Sequence, residues 1–202
     1  MSASGWRKSV IDYIRAQALP VDKYGHQPRL YVLAGEIGRG LEYDDDVVFA
    51  AAWMHDLGVF AGHRPQDSAA LARWDHVPYT VARTRDLLAA WGFPAAKLDA
   101  VAEAIRTHRP QDQPATVEAT ILRDADILEQ LGAVGAARAL VKVGRDTRYE
   151  TVSSVLPVLE RALQQLPGQL RLPRARELAL QKIAILRAFV AALQAEAGMH
   201  LH

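Results

Sequence analysis

The chain has 202 residues, of which 50% are hydrophobic and 23% charged, and its formal net charge is +1. That size and balance suit one globular domain with a sizeable core, and the near-neutral charge makes no case for a nucleic-acid partner. Zero cysteines exclude disulfides, thiolate catalysis and thiolate metal sites, leaving seven histidines as the nitrogen ligands available. No apolar run approaches the roughly 18 residues of a membrane span. The opening Met-Ser-Ala-Ser-Gly-Trp-Arg-Lys has no apolar signal region behind its charges, so the expected compartment is the cytoplasm.

Helical signals run from end to end. Residues 6–18 place Val10, Ile14 and Ala18 on one stripe, and Pro20 stops it. A polar turn carrying His26 leads into a helix over 30–41, whose buried face is expected at Leu30, Leu33, Ala34, Ile37 and Leu41. Pro28 fits its opening turn. Asp44-Asp45-Asp46 reads as an N-cap with helpful acidic charge for the next helix, which runs to His55 with Val48, Ala52 and His55 on one stripe and Asp56 continuing it from Ala52.

Residues 60–70 read as a loop. A short helix with Trp74-Asp75-His76 follows, then a helix over 79–91 with Val81, Leu88 and Trp91 inward. The segment 95–108 repeats Leu98, Val101, Ile105 and His108 at threes and fours, so this stripe also ends in a histidine. A helix over 116–131 carries Asp124 and Asp126. Residues 136–143 read as helical. Two further helices, over 149–166 and 174–197, are split by Pro167-Gly168 and Pro173. The last is expected to turn Leu178, Ile185, Ala188, Phe189, Ala192 and Leu193 inward as a packing helix, with homodimer formation as its alternative role. No strand-like alternation of useful length, repeat or linker is present. The expected fold is all-α, one domain over 1–202 with about eight to ten helices, a motif-bearing core at about 20–140 and C-terminal packing helices at about 149–197.

Chemistry concentrates at helix ends. Residues 50–58, Ala-Ala-Ala-Trp-Met-His55-Asp56-Leu-Gly, carry an imidazole and a carboxylate side by side to the end of a buried helix, which is costly unless something pairs with them. His26 and the Asp124/Asp126 pair come from two other helix ends, and His76 and His108 from two more. A lone inward histidine is usually a satisfied core residue; five positions of this kind point instead to a shared site. Imidazole and carboxylate without thiolate suit divalent Mn, Fe, Co, Ni, Zn or Mg.

The order of these residues resembles the H…HD…D pattern of the HD-domain metal-dependent phosphohydrolases. His26-Gln-Pro-Arg29 is similar to that family's H-x-x-R opening, residues 51–58 to its A-A-x-x-H-D-I/L-G segment, and residues 124–132 to the D-A-D-x-L-E/D-x-L-G segment of small stand-alone bacterial members. The resemblance covers about residues 20–140 and implies a divalent metal held by His26, His55, Asp56 and a distal aspartate. Helical spacing places Asp124 on the stripe of Val117, Ile121, Leu128 and Leu131. Matching to the family, anchored on Leu128, favours Asp126 as the ligand, with Asp124 as the alternative. His76 and His108 resemble the family's extra histidines, which hold a second metal or contact the substrate phosphate. His63 lies in the loop after the motif. Arg29, Arg64, Arg106 and Arg109 are candidates for holding phosphate, and Arg29 stands out through its place in the H-x-x-R element. His200 and His202 receive no role.

What the resemblance implies is a phosphohydrolase acting on a nucleotide or other small phosphorylated metabolite, with one metal, or two, activating water. Two other readings stand beside it. One is a di-iron HD oxygenase acting on a small organic or organophosphonate substrate. The other is a catalytically silent metabolite-binding module.

Overall fold

The computed structural model describes residues 5–145, 149–198 and 200–201. Residues 1–4, which carry the start of the chain, and His202 lie outside the described residues. Among the described residues the fold is all-α, with ten α-helices and no strand. Contacts divide the chain into two compact units, 1–125 and 126–202.

The first unit is built around a helix buried on every side. Its helices are α1 (Gly5–Gln17), α2 (His26–Ile37), α3 (Asp45–Met54), α4 (Ser68–Ala72), α5 (His76–Ala90), α6 (Leu98–Arg106) and the first part of α7 (Val117–Glu129). Helix α3 packs against α1, α2 and α6, and α5 packs against α6 and the 3-10 turn Leu57–Val59. Val47 through Met54 are all buried. Three consecutive alanines let neighbouring backbones approach closely, and the removal of so much apolar surface from water is what carries this unit. Trp6 of α1 closes one end edge-on, with ring centroids 5.4 Å from Phe49 and 4.8 Å from Phe93.

The three aspartates ahead of α3 are spent on that assembly. Asp44 accepts from the Asp46 N–H at 3.0 Å as an N-cap. Asp45 and Asp46 take Arg7 of α1 at 2.7 and 2.6 Å. Lys97 at the entrance to α6 bonds Asp44 and Asp46 at 2.8 Å each. The N-terminus of the central helix is thereby tied to both flanking helices.

Several boundaries differ from the sequence expectation. Helix α2 stops at Ile37, with Gly40 at φ +80° just beyond, so Leu41 is exposed instead of buried. The loop expected over 60–70 contains the start of α4, capped by Asp67, whose carboxylate accepts from the Ala70 N–H at 2.8 Å. Asp75 is the N-cap of α5, accepting from the Val77 N–H at 3.1 Å, which makes His76 the first residue of that helix. Helix α5 buries Val77, Thr80, Thr84, Leu87 and Leu88, whereas Val81 and Trp91 are only half-buried.

In the second unit, α8 (Gly132–Leu140) and α9 (Leu156–Gln165) pack on α10 (Pro173–Ala197). Gly132 sits at φ +76°, where L side chains are disfavoured. A Cβ on Gly135 would come within 2.3 Å of the Gln130 carbonyl oxygen, so only glycine fits there. Helix α10 buries Ala175, Ala179, Leu186 and Val190, a stripe offset from the one expected, and leaves Ile185 41% and Leu180 70% exposed. Among the described residues it is the one helix long and apolar enough to cross a membrane by length and composition. This differs from the expectation that no apolar run approaches a membrane span: 18 residues of α10 reach the required mean hydropathy although charged residues punctuate the helix.

Candidate metal centre

Asp56 is the hub of the site. It follows directly on His55, the C-cap of α3, as the chain leaves the core, and 24% of its side chain remains exposed. Its Oδ2 lies 3.6 Å from His55 Nε2 and 3.8 Å from His26 Nε2, while its Oδ1 lies 3.7 Å from His76 Nε2. The carboxylate therefore divides its two oxygens between two groups of imidazoles. His26, His55 and Asp56 form one set with ligand atoms all within 4.8 Å of one another, and Asp56, His76 and His108 form a second.

The rings are aimed by their helices. His55 Nδ1 donates to the Ala52 carbonyl at 3.1 Å, and His108 Nδ1 donates to the Ile105 carbonyl at 2.7 Å. A carbonyl can only accept, so each Nδ1 carries the hydrogen and each Nε2 presents a lone pair. The construction is the same twice: a histidine at a helix C-terminus bonds back three residues and turns its other nitrogen toward the site. His26 is the first residue of α2, with its Nε2 3.3 Å from His55 Nε2. His76 is half-buried, and its buried Nε2 has no hydrogen-bond partner. The rings of His76 and His108 lie 5.7 Å apart, and those of His55 and His108 5.1 Å.

Electrostatics follow from this crowding. Burial would raise the Asp56 carboxyl, but His55, His26, His108 and His76 outweigh it and hold the group well below the usual carboxylate range. For His76, burial is the larger influence and keeps its pKa low despite Asp56, favouring the neutral imidazole. An ionised carboxylate among converging imidazoles is the donor chemistry of a divalent cation, and the His76 Nε2, buried without a hydrogen-bond partner, fits the same conclusion. The residues present thus fit a metal.

The backbone around the hub is held tightly. The Gly58 N–H donates to Thr80 Oγ1 at 3.0 Å, and the Gly58 carbonyl accepts from Trp74 Nε1 at 2.8 Å. A Cβ on Gly58 would meet His76 Cβ, the His76 carbonyl oxygen and Thr80 Oγ1 at 2.9 Å each, so this glycine lets α5 pack directly on the turn after Asp56. Sequence reasoning did not single out Thr80 or Trp74. For the first, the available signal is its place on the stripe of Val77, Thr84, Leu87 and Leu88.

The remaining candidates are placed as follows. Asp124 is fully buried and bonded to the Arg123 guanidinium at 3.2 Å, whereas Asp126 is half-buried. Arg29 is exposed, with its guanidinium against Gly25, where an added Cβ would meet Nη1 at 2.8 Å. Arg106 pairs with Glu103 at 3.2 Å, and Arg109 pairs with Asp75. His63 bonds Tyr79 Oη at 2.7 Å and Gln17 Oε1 at 3.0 Å, neither of which belongs to the metal centre.

Comparison with known proteins bears on family and fold. The model of the family described as HD domain matches residues 24–131. No curated protein sequence matches the chain. Among solved structures, Bacillus subtilis YpgQ, crystallised in complex with ADP, has 24% identity and a TM-score of 0.74, with 97% of each chain covered. A predicted HD superfamily hydrolase from an uncultured Thermotogales bacterium has 24% identity and a TM-score of 0.64, covering 95% of this chain and 92% of that one. An HD-superfamily hydrolase from Bacillus thuringiensis has 16% identity and a TM-score of 0.69, covering 96% and 98%. At these identities the likeness is one of fold.

Proposed function

The chain belongs to the HD domain family, and from that premise we propose that it is a metal-dependent phosphohydrolase acting on a nucleotide or other small phosphorylated metabolite in the cytoplasm. The observation that carries the reading is Asp56, ionised and shared between two sets of imidazoles. His26, His55 and Asp56 would hold the metal, with Asp126 as the fourth ligand by its place in the motif. Asp124 is the less suited of the two aspartates, because its buried charge is already met by Arg123. A divalent ion in this set acidifies a bound water and offsets negative charge on a phosphoryl oxygen.

The protein's own groups do the rest. His26 and His76 open α2 and α5, so the positive ends of two helix dipoles lie by the centre and favour an anionic substrate. His108 Nε2 would take the proton that the attacking water releases and pass it to the oxygen that departs from phosphorus, its ring held in line by the Ile105 carbonyl. His76, neutral and partnerless at Nε2, steadies the phosphate or a second ion. Arg29, beside His26 in sequence, supplies a guanidinium for phosphate oxygens. The ADP bound in the YpgQ crystals supports a nucleotide as the first substrate class to try.

A panel of nucleotides and phosphorylated metabolites assayed with Mn, Co, Ni and Mg in turn tests the proposal. Turnover that requires a metal and disappears in His55→Ala supports it; full turnover in that variant removes it.

One observation favours a second reading. Asp56 belongs to both ligand sets, an arrangement suited to two ions bridged by one carboxylate and to di-iron oxygen chemistry. Metal analysis of untagged protein separates the readings. Two irons per chain with an oxidised-iron absorption band favours the oxygenase, and phosphatase turnover with Mn and no iron opposes it.

A further inference from the structure

His76 and His108 reach Asp56 from different elements, the first residue of α5 and the loop just after α6. Their immediate chain neighbours are joined to each other: Arg109 Nη2 donates to Asp75 Oδ1. Both ends of that pair are anchored. Asp75 also caps α5 through the Val77 N–H at 3.1 Å. The Arg109 backbone is closed into a turn, its N–H donating to Asp112 Oδ2 and its carbonyl accepting from the Asp112 N–H, at 3.0 Å each. With side chains 54% and 32% exposed, Asp75 and Arg109 form the kind of ion pair that adds little to overall stability. Its consequence is geometric. No hydrogen bond at Nε2 fixes the His76 ring, so its place depends on where the first turn of α5 is held, and Arg109 ties that turn to the segment bearing His108.

We propose that Asp75 and Arg109 are positioning residues: their ion pair sets the separation of His76 and His108 around Asp56, and Arg109 acts through those histidines instead of touching the substrate phosphate. The role of the two histidines toward phosphate rests on the function proposed above, but the bridge itself does not. Imidazoles gathered around one carboxylate from different elements need support of this kind to stay in register, because side chains around a metal or anion lose effect with small displacements.

The test is a double-mutant cycle with Asp75→Asn and Arg109→Gln. Asparagine keeps a cap oxygen for the Val77 N–H, so Asp75→Asn removes the charge pairing while leaving the helix start intact. Imidazole nitrogen signals are followed by NMR in metal-free protein, and the dissociation constant of orthophosphate is measured for the Mn-loaded protein. The expected result is that either variant shifts the His76 and His108 signals while His63 stays put, and weakens orthophosphate by roughly tenfold. The double variant should be no worse than either single one. Unmoved His76 and His108 signals in both variants overturn the proposal. So does a large loss of orthophosphate binding in Arg109→Gln alone with an additive double variant, the pattern of direct phosphate contact. If wild-type protein binds neither Mn nor orthophosphate, the phosphohydrolase reading fails while the NMR cycle still decides the bridge.

Discussion

The Nε2 atoms of His26 and His55 stand 3.3 Å apart, and the hydrogen of the His55 ring is committed on the other side to the Ala52 carbonyl. Two ring nitrogens at that distance are comfortable only with a proton or a cation between them. This pair, more than the HD dipeptide itself, suits the centre to a cation.

His55→Ala removes one member of the pair from a fully buried position. The metal-free variant is expected to fold, at a cost of about 1–2 kcal/mol for the space left behind. Wild-type protein should gain about 2.7 kcal/mol when Mn is supplied at a hundred times its dissociation constant. The variant should gain nothing. Thermal melts with and without Mn read both quantities.

Asp126→Ala is expected to abolish the same metal-induced rise while leaving the metal-free melt near wild type. Asp124→Ala should do the opposite. It takes a carboxylate from the buried Arg123 guanidinium, a loss of about 3 kcal/mol in the metal-free protein. A reversed pattern in paired melts would move the ligand role to Asp124.

Gly58→Ala should be destabilising beyond the usual surface substitution, because the new Cβ meets His76 and Thr80 at 2.9 Å. The expected cost is about 1–3 kcal/mol from overpacking. Thr80→Val strands the buried Gly58 N–H and should cost about 1–3 kcal/mol. Denaturant midpoints measure both; a Gly58→Ala midpoint equal to wild type would mean that α5 yields easily.

The metal-free protein should lose stability on mild acidification. Burial, helped by Arg83, lowers the His63 pKa below its ordinary value of 6.5, and burial lowers that of His76. A base with a depressed folded pKa contributes stability that is fully present above its unfolded pKa and is lost as pH falls below it. Asp46, Asp75 and Asp99 are also lowered, from 3.8: Asp46 and Asp99 by their hydrogen-bonded cations, and Asp75 by the Val77 N–H and then Arg109, against whatever burial opposes. Their contribution is lost only in stronger acid. Calorimetric melts at pH 7.5 and 5.5 should therefore show a fall that His63→Gln makes shallower. An identical slope in the variant would remove His63 from the account.

The sequence by itself determined the all-α class, because three- and four-residue apolar spacing recurs along the chain and no alternation competes with it. It also brought out His26, His55, Asp56, His76 and His108, since imidazoles and a carboxylate at the ends of apolar stripes are costly without a partner. Tertiary structure decided matters of phase and pairing. Helix α10 is apolar around most of its circumference, so periodicity could not choose between the expected Ile185 side and the observed Leu186 and Val190 stripe; the small Ala175 and Ala179 are the ones buried. Helix α5 turns Thr80 inward because the Gly58 N–H needs an acceptor, a demand that arises only once the turn after Asp56 lies against that helix. Arg109 is a phosphate candidate by residue type, and the fold pairs it with Asp75. Residue type and spacing are properties of a single segment. Which oxygen of Asp56 faces which imidazole depends on segments far apart in the chain, and only packing brings those together.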